Sequence, residues 1–169
     1  MRFRPAARYS SWSRKVRSEE TFGRGCCSTS GGSPMGVFQW EEMYSVQVAS
    51  FDRQHQGLFR ATNELNEALL AGCGKDVAGK ILQRLIDYTA SHFAAEEAAM
   101  NMTGYPELEA HQAEHRALVE QVVKFQEDFH ADKPGVAVAL MQFLQKWLCH
   151  HIMETDKKYG PFLNEKGIH

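Results

Sequence analysis

The stretch Ile-Leu-Gln-Arg-Leu-Ile-Asp-Tyr-Thr-Ala-Ser-His-Phe-Ala-Ala-Glu, residues 81 to 96, decides the fold of this chain. Ile81, Leu85, Tyr88, His92 and Glu96 recur at steps of three and four residues, which is the period of one face of a helix. The face begins apolar and ends with an imidazole and a carboxylate. Because burying such polar groups costs several kcal/mol unless they are paired or ligated, the pattern predicts a helix that carries a polar site inside a core.

Helical period extends on both sides of this stretch, and glycine or proline interrupts it at intervals. The predicted helices run from about Asp52 to Ala71, from about Asp76 to Thr103, from about Pro106 to the turn at 132–135, and from Val136 to Gly160-Pro161. Four long amphipathic helices joined by short turns predict an all-α protein, an antiparallel up-down four-helix bundle. Residues 36–51, which include apolar side chains, are expected to form an N-terminal arm packed across it.

Charge divides the 169-residue chain into two parts. Residues 1–34 hold seven Lys or Arg against two Glu, whereas residues 35–169 hold twelve against nineteen. We interpret residues 1–34 as a disordered basic tail and residues 35–169 as one globular domain. A change of composition at Met35 suggests that the native protein starts there. The alternatives are a basic targeting segment and an extension without function.

Composition also excludes several classes of function. The domain is acidic, which argues against nucleic-acid binding, and the chain has no apolar run of about 18 residues, which argues against membrane insertion. Four cysteines without a C-x-x-C pair favour free thiols and a cytoplasmic location. We expect a monomer.

Histidines on all four predicted helices face the core. A single inward histidine is more often a hydrogen-bonded core residue than a ligand. His111 and His115 are four residues apart, however, and this spacing lets one helix face offer two nitrogens to one metal. His55, His92 and His151 continue the apolar faces of the other three helices. Together they predict a metal site, whereas His130, His150 and His169 lie outside these faces and are expected to be solvated.

The carboxylates are less certain from geometry. Regular helix geometry selects Glu154, three residues after His151, over Asp156, which at five residues is rotated by about 140°. Glu97 neighbours Glu96 and is interpreted as a helix-surface residue or as a partner of a ligand.

The motifs around these residues resemble those of the bacterial hemerythrins over residues 36–162. They are D-x-x-H from Asp52, H-F-x-x-E-E from His92, H-x-x-x-H from His111, and W-L-x-x-H-I-x-x-x-D from Trp147. The resemblance implies a four-helix bundle with seven iron ligands. These ligands would be His55, His92, Glu96, His111, His115, His151 and Asp156.

The resemblance also implies how the ligands are shared. Three histidines, at 111, 115 and 151, would bind one iron, and His55 and His92 would bind the other. Glu96 and Asp156 would bridge the pair together with an oxo or hydroxo group. The second iron would keep a vacant position for dioxygen, inside an apolar pocket. The pocket walls in the family correspond to Leu58, Phe93, Trp147, Leu148 and Ile152, which could equally be ordinary core residues.

The expected function is therefore reversible binding of dioxygen at a non-haem di-iron centre, for storage, transport or delivery to an oxygen-consuming enzyme. The protein itself is not expected to be an enzyme. The alternatives are a di-iron oxidoreductase that removes peroxide or nitric oxide, and an oxygen or redox sensor. A ferritin-like oxidase would need two Glu-x-x-His motifs, and the chain has one, Glu127 to His130. Seven ligands also exceed what one tetrahedral zinc requires.

Overall fold

The computed structural model describes residues 38–169, which fold into a bundle of four helices. The predicted tail and the predicted start at Met35 lie outside the described residues. A short 3-10 helix, Glu42–Tyr44, precedes the bundle. Its helices are α1 (Ala49–Leu70), α2 (Gly74–Thr103), α3 (Leu108–His130), α4 (Val136–His150), a π-helix (His151–Asp156) and α5 (Lys157–Glu165). The last three follow one another without a break and form the fourth helix of the bundle, so the predicted fold class is confirmed.

Glycines close the turns between the helices. Gly72 follows α1 with φ of 76°, and Gly104 follows α2 with φ of 73°, in the left-handed region that side chains with a Cβ rarely adopt. After α2, the amide of Tyr105 bonds back to the carbonyl of Met100, as in a Schellman closure. Short turns of this kind make consecutive helices antiparallel neighbours, and the fourth helix returns to pack against α1.

The fourth helix does not end where the sequence predicts. It continues through Gly160 and Pro161 to Glu165. A Cβ at position 160 would lie 2.2 Å from the carbonyl oxygen of Val46, so this glycine permits close packing rather than a break. The bond that Pro161 cannot donate would have gone to Lys157, at the junction with the π-helix, where one missing hydrogen bond is tolerated more easily than in a helix interior.

The N-terminal arm, residues 38–48, packs across α1 as expected. Its side chains Phe38, Trp40 and Tyr44 surround Phe59, with ring centroids 5.6, 5.4 and 4.9 Å away. The amide of Asn63 bonds both backbone groups of Phe38, at 3.0 and 2.7 Å. Residues 49–51, which the sequence assigned to the arm, instead form the first turn of α1.

Asp52 fixes the arm at the start of α1. One of its carboxylate oxygens accepts a hydrogen bond from the amide of Val46 at 2.8 Å, and the other accepts one from the hydroxyl of Ser45 at 2.7 Å. Three residues later on the same helix, His55 points into the bundle and is almost completely buried. In the D-x-x-H motif, Asp52 thus holds the arm, and His55 lies in the interior of the bundle.

Among the helices of residues 38–169, none combines the length and the apolar character that a membrane span requires.

Candidate metal centre

Seven titratable side chains meet inside the bundle, each at most 3% exposed. They come from all four helices of the bundle and are the seven that the family resemblance implies. They are His55 on α1, His92 and Glu96 on α2, His111 and His115 on α3, and His151 and Asp156 on the π-helix. Three histidines that the sequence placed outside these helix faces are exposed, as predicted: His130, His150 and His169.

The seven side chains divide into two groups whose ligand atoms lie within 4.8 Å of one another. The two-histidine group contains His55, His92 and Glu96, and the three-histidine group contains His111, His115, His151 and Asp156. This division matches the sharing of ligands that the family resemblance implies. Each group has the mixture of imidazole nitrogen and carboxylate oxygen that suits iron.

Glu96 lies between the two groups and presents one oxygen to each. Its Oε1 is 3.1 Å from Nε2 of His92 and 3.8 Å from Nε2 of His55. Its Oε2 is 3.2 Å from Nε2 of His115 and 3.4 Å from Nε2 of His111. This is the arrangement that a carboxylate needs to bridge two metal ions.

Asp156 spans the two groups in the same way. Its Oδ2 is 3.3 Å from Nε2 of His55, and its Oδ1 is 3.2 Å from Nε2 of His151 and 3.7 Å from Nε2 of His111. The π-helix makes this possible, because its backbone bonds reach back five residues and place residues five apart on the same side. Glu154, which regular helix geometry favoured, is exposed.

Several polar atoms of the cluster make no hydrogen bond of acceptable geometry with any described residue, although most of them lie 3.2–3.7 Å from an oppositely charged group. They are Nδ1 of His55, Nε2 of His115, Nε2 of His151 and both oxygens of Asp156. Buried nitrogen and oxygen atoms are rarely left without partners, and each one costs about 1–3 kcal/mol. Except for Nδ1 of His55, these atoms belong to the donor set that faces the middle of the cluster. The residues present therefore fit two metal ions, one for each group of ligand atoms.

The outer nitrogens of three histidines are held by side chains of neighbouring helices. Nδ1 of His92 lies 2.6 Å from the amide oxygen of Gln54, and Nδ1 of His115 lies 3.0 Å from Oε1 of Glu97. Partners of this kind fix the tautomer that leaves Nε2 free for a metal. Glu97 is 5% exposed, so its interpretation as a partner of a ligand holds and the helix-surface alternative is wrong.

Glu114 supports the third histidine, His151, from α3. Its Oε2 accepts a hydrogen bond from the hydroxyl of Thr155 at 2.7 Å and lies 3.3 Å from Nδ1 of His151. Sequence reasoning missed both Glu114 and Gln54. Each directly precedes a histidine of the cluster, and that position was the only signal available.

In this cluster, burial shifts each pKa in one direction and neighbouring groups of opposite charge shift it in the other. Burial disfavours the carboxylate of Glu96, but His92, His111 and His115 outweigh it and hold the pKa of Glu96 well below its usual range. Burial likewise lowers the pKa values of His92 and His151, against the attraction of the carboxylates. For His115, Glu96 and Glu97 overcome burial and raise the pKa to about 9.

Two tyrosines adjoin the cluster: Tyr159 is fully buried, and Tyr88 is partly buried. The hydroxyl of Tyr159 donates a short hydrogen bond to Oε1 of Glu96. Tyr88 stacks on the ring of His92, with centroids 4.4 Å apart and planes inclined by 28°. Burial first, and then the charges of Glu96 and Asp156, raise both tyrosine pKa values well above their usual range. Both side chains are therefore neutral hydrogen-bond donors at neutral pH.

The five expected pocket residues are placed around the cluster. Leu58, Phe93, Leu148 and Ile152 are buried, with exposed fractions of 4% or less. Phe93 stacks on His115, with centroids 3.6 Å apart and planes at 7°. Trp147 is half-buried and stacks on His151 at 5.1 Å. The closest ring contacts of Phe93 and Trp147 are thus with the three-histidine group.

Comparison with known proteins points to a single family. Residues 46–163 match the family model described as the hemerythrin HHE cation binding domain. The chain is 36% identical over 131 residues to the bacteriohemerythrin of Methylococcus capsulatus strain Bath, which covers 77% of this chain and 99% of that protein. It is 31% identical over 128 residues to myohemerythrin-1 of Phascolopsis gouldii, which covers 72% of this chain and 91% of that protein.

Solved structures give the same result. A wild-type hemerythrin crystal structure superposes with a TM-score of 0.68 at 36% identity, covering 75% of this chain and 98% of that chain. The crystal structure of a hemerythrin with a leucine replaced by alanine superposes with a TM-score of 0.69 at 35% identity, covering 76% and 98%.

Proposed function

The chain belongs to the hemerythrin family, a di-iron, oxygen-binding family, and on that premise we propose that it binds dioxygen reversibly for storage, transport or delivery to an oxygen-consuming enzyme. Two iron ions would be held by the seven clustered side chains. His111, His115 and His151 would hold one ion, and His55 and His92 would hold the other. Glu96 and Asp156 would bridge them, with an oxo or hydroxo group as the third bridge.

The observation that carries this proposal is the position of the two carboxylates. Each presents one oxygen to the two-histidine group and the other to the three-histidine group, at 3.1 to 3.8 Å from the imidazole nitrogens. A site for a single metal ion would need only one of these groups. The unequal number of histidines supports an open coordination position at the ion held by His55 and His92.

Two bound ferrous ions would supply the two electrons that reversible binding of dioxygen requires, and the residues of the chain would hold the ions and shield the ligand. The chain must keep water from the bound ligand, because protonation would release it in reduced form. Phe93, Leu148 and Ile152 are fully buried beside the histidines and provide apolar walls. The two carboxylates would offset half of the four positive charges of two ferrous ions, and a bridging hydroxide would offset one more, without bringing water into the core.

Reversible binding of dioxygen can be tested by the visible absorption of the protein. The reduced protein should be nearly colourless, develop a visible absorption band in air and lose it again under argon over repeated cycles. A protein that loads two irons but oxidises irreversibly at the first exposure to air would not be a carrier. Rapid turnover of added peroxide by the same sample would support the alternative, a detoxifying enzyme.

We further propose that the protein acts as a monomer in the cytoplasm. Cys149 is a free thiol, which is consistent with a reducing compartment. The large exposed apolar side chains of the described residues, such as Leu70 and Met102, are dispersed along the sequence and belong to different helices. Size-exclusion chromatography with light scattering of the iron-loaded protein would detect a dimer.

A further inference from the structure

The hydroxyl of Tyr88 is a buried donor that lacks a partner within residues 38–169. Leaving such a group unpaired is costly, and unpaired groups in native structures call for an explanation. Tyr159 shows the contrast: its hydroxyl, which is equally buried, is committed to Glu96. A phenylalanine would fill the same space at position 88 without this cost.

Tyr88 lies one helical turn before His92 and covers the face of that imidazole. The charges that act most strongly on its hydroxyl are those of Glu96 and Asp156, the two carboxylates that join the halves of the centre. The hydroxyl also interacts electrostatically with that of Tyr159. The phenol ring thus covers His92, and its hydroxyl is buried close enough to the cluster for the charges of Glu96 and Asp156 to act on it.

The two-histidine group is otherwise lined by apolar or occupied rings. Phe51 meets His92 edge to face at 5.9 Å and meets Tyr159 at the same distance. On the opposite side, Phe93 and Trp147 stack on His115 and His151. Among the aromatic side chains described around the centre, Tyr88 alone brings an uncommitted hydrogen-bond donor to the side with fewer histidines.

We propose that the hydroxyl of Tyr88 donates a hydrogen bond to a small ligand held beside the His55–His92 side of the centre. The ligand class is dioxygen or a small anion whose free end accepts a hydrogen bond. This inference rests on the proposed function, because it requires two irons with an open position on that side. It makes Tyr88 a residue that determines ligand affinity and selectivity, in addition to the seven metal ligands.

The test uses azide, a small anion with an accepting terminal nitrogen, as the probe. Azide is titrated into the iron-loaded, oxidised full-length protein, and binding is followed by the visible charge-transfer absorption. Tyr88→Phe should weaken azide binding about tenfold, since a hydrogen bond to a charged acceptor contributes at least this much. Tyr105→Phe is the matched control, because the ring of Tyr105 packs against Phe162, which is not one of the seven clustered side chains; its azide affinity should equal that of the wild type.

Iron content and melting temperature are measured on the same samples. If Tyr88 contacts the ligand, Tyr88→Phe keeps two irons per chain and a melting temperature within a few degrees of the wild type, and only azide affinity falls. Unchanged azide affinity in an iron-loaded Tyr88→Phe protein would overturn the inference, with or without a change in melting temperature. Failure of the wild type itself to load two irons would instead overturn the proposed function.

Discussion

His151 and Asp156 are five residues apart and meet at 3.2 Å, from Nε2 to Oδ1, because the segment between them is a π-helix. In a regular α-helix the two side chains would differ in direction by about 140°. The amide of Lys157 bonds to the carbonyl of Ile152, five residues back, which is the hydrogen bond that defines the change of period. The first prediction concerns this seventh candidate ligand.

Asp156→Ala should lose much of the iron, because it removes one of the two carboxylates that join the groups and leaves positive charge uncompensated in the core. Glu154→Ala is the matched control, since Glu154 lies two residues away on the same segment and is exposed. Iron content and the visible spectrum should be altered in the first variant and normal in the second. The reverse result would show that Glu154 is the ligand.

Metal stoichiometry is the second prediction. Two groups of ligand atoms should hold two irons per chain after anaerobic loading, and removal of iron by a chelator should lower the melting temperature, because several buried polar atoms then lose their partners. Elemental analysis and thermal denaturation provide the measurements. A single tightly bound zinc per chain would contradict a di-iron centre.

The third prediction tests the apolar wall. Leu148 is fully buried on α4, one turn before His151, and Leu148→Ala should cost about 2–5 kcal/mol of stability and leave a cavity. Water entering that cavity should speed the decay of the oxygenated form to the diferric form, with iron content still at two. Leu70→Ala, at a position 83% exposed, should change neither the stability nor the rate at which the oxygenated form decays. Equal decay rates in the two variants would place Leu148 away from the oxygen path.

The fourth prediction concerns Glu97, which holds the candidate ligand His115 from outside the cluster. Glu97→Ala removes the acceptor that holds Nδ1 of His115, and Gln112 also loses its bond to this carboxylate. Iron affinity should fall by roughly 10- to 100-fold, as is typical when such outer partners are lost. Competition with a chelator measures the change. Glu109→Ala, on an exposed position of α3, should retain normal affinity.

The fifth prediction concerns the arm. A chain that begins at Met35 should fold, load iron and bind oxygen like the full-length protein, because it keeps Phe38, Trp40 and Tyr44, the arm side chains that pack on Phe59. A chain that begins at Ser45 lacks Phe38 and Trp40, which pack on Phe59, and should melt roughly 5 °C lower. Loss of iron binding in the chain that begins at Met35 would show that the first residues are structural.

The sequence predicted most of the bundle because its signals are local. Apolar period and glycine breaks placed the four helices, and the breaks at Gly72 and Gly104 are confirmed by their positive φ angles. The five histidines lay on the same faces as the apolar residues, so their convergence followed from helix geometry alone. The structure brings together all seven side chains that the family resemblance selected.

What the sequence could not predict depends on contacts between distant segments or on a change of helical period. The π-helix has no local signature, so only the family pattern selected Asp156 over Glu154. Gly160 looked like a helix end because its reason for being glycine, the backbone of Val46, belongs to another part of the chain. The burial of Glu97 likewise depends on a partner from α3, His115.

The close approach of Gly160 to Val46 has a consequence for how the domain can be joined to others. Nearby, the ammonium of Lys157 bonds the carbonyl of Met43, and the amide of Asn164 bonds the carbonyl of Gln47. The segment that enters the bundle and the segment that leaves it therefore run side by side, although they are more than a hundred residues apart. A fold whose entry and exit adjoin can be inserted into a surface loop of another protein, or circularly permuted, without any connection crossing the metal centre.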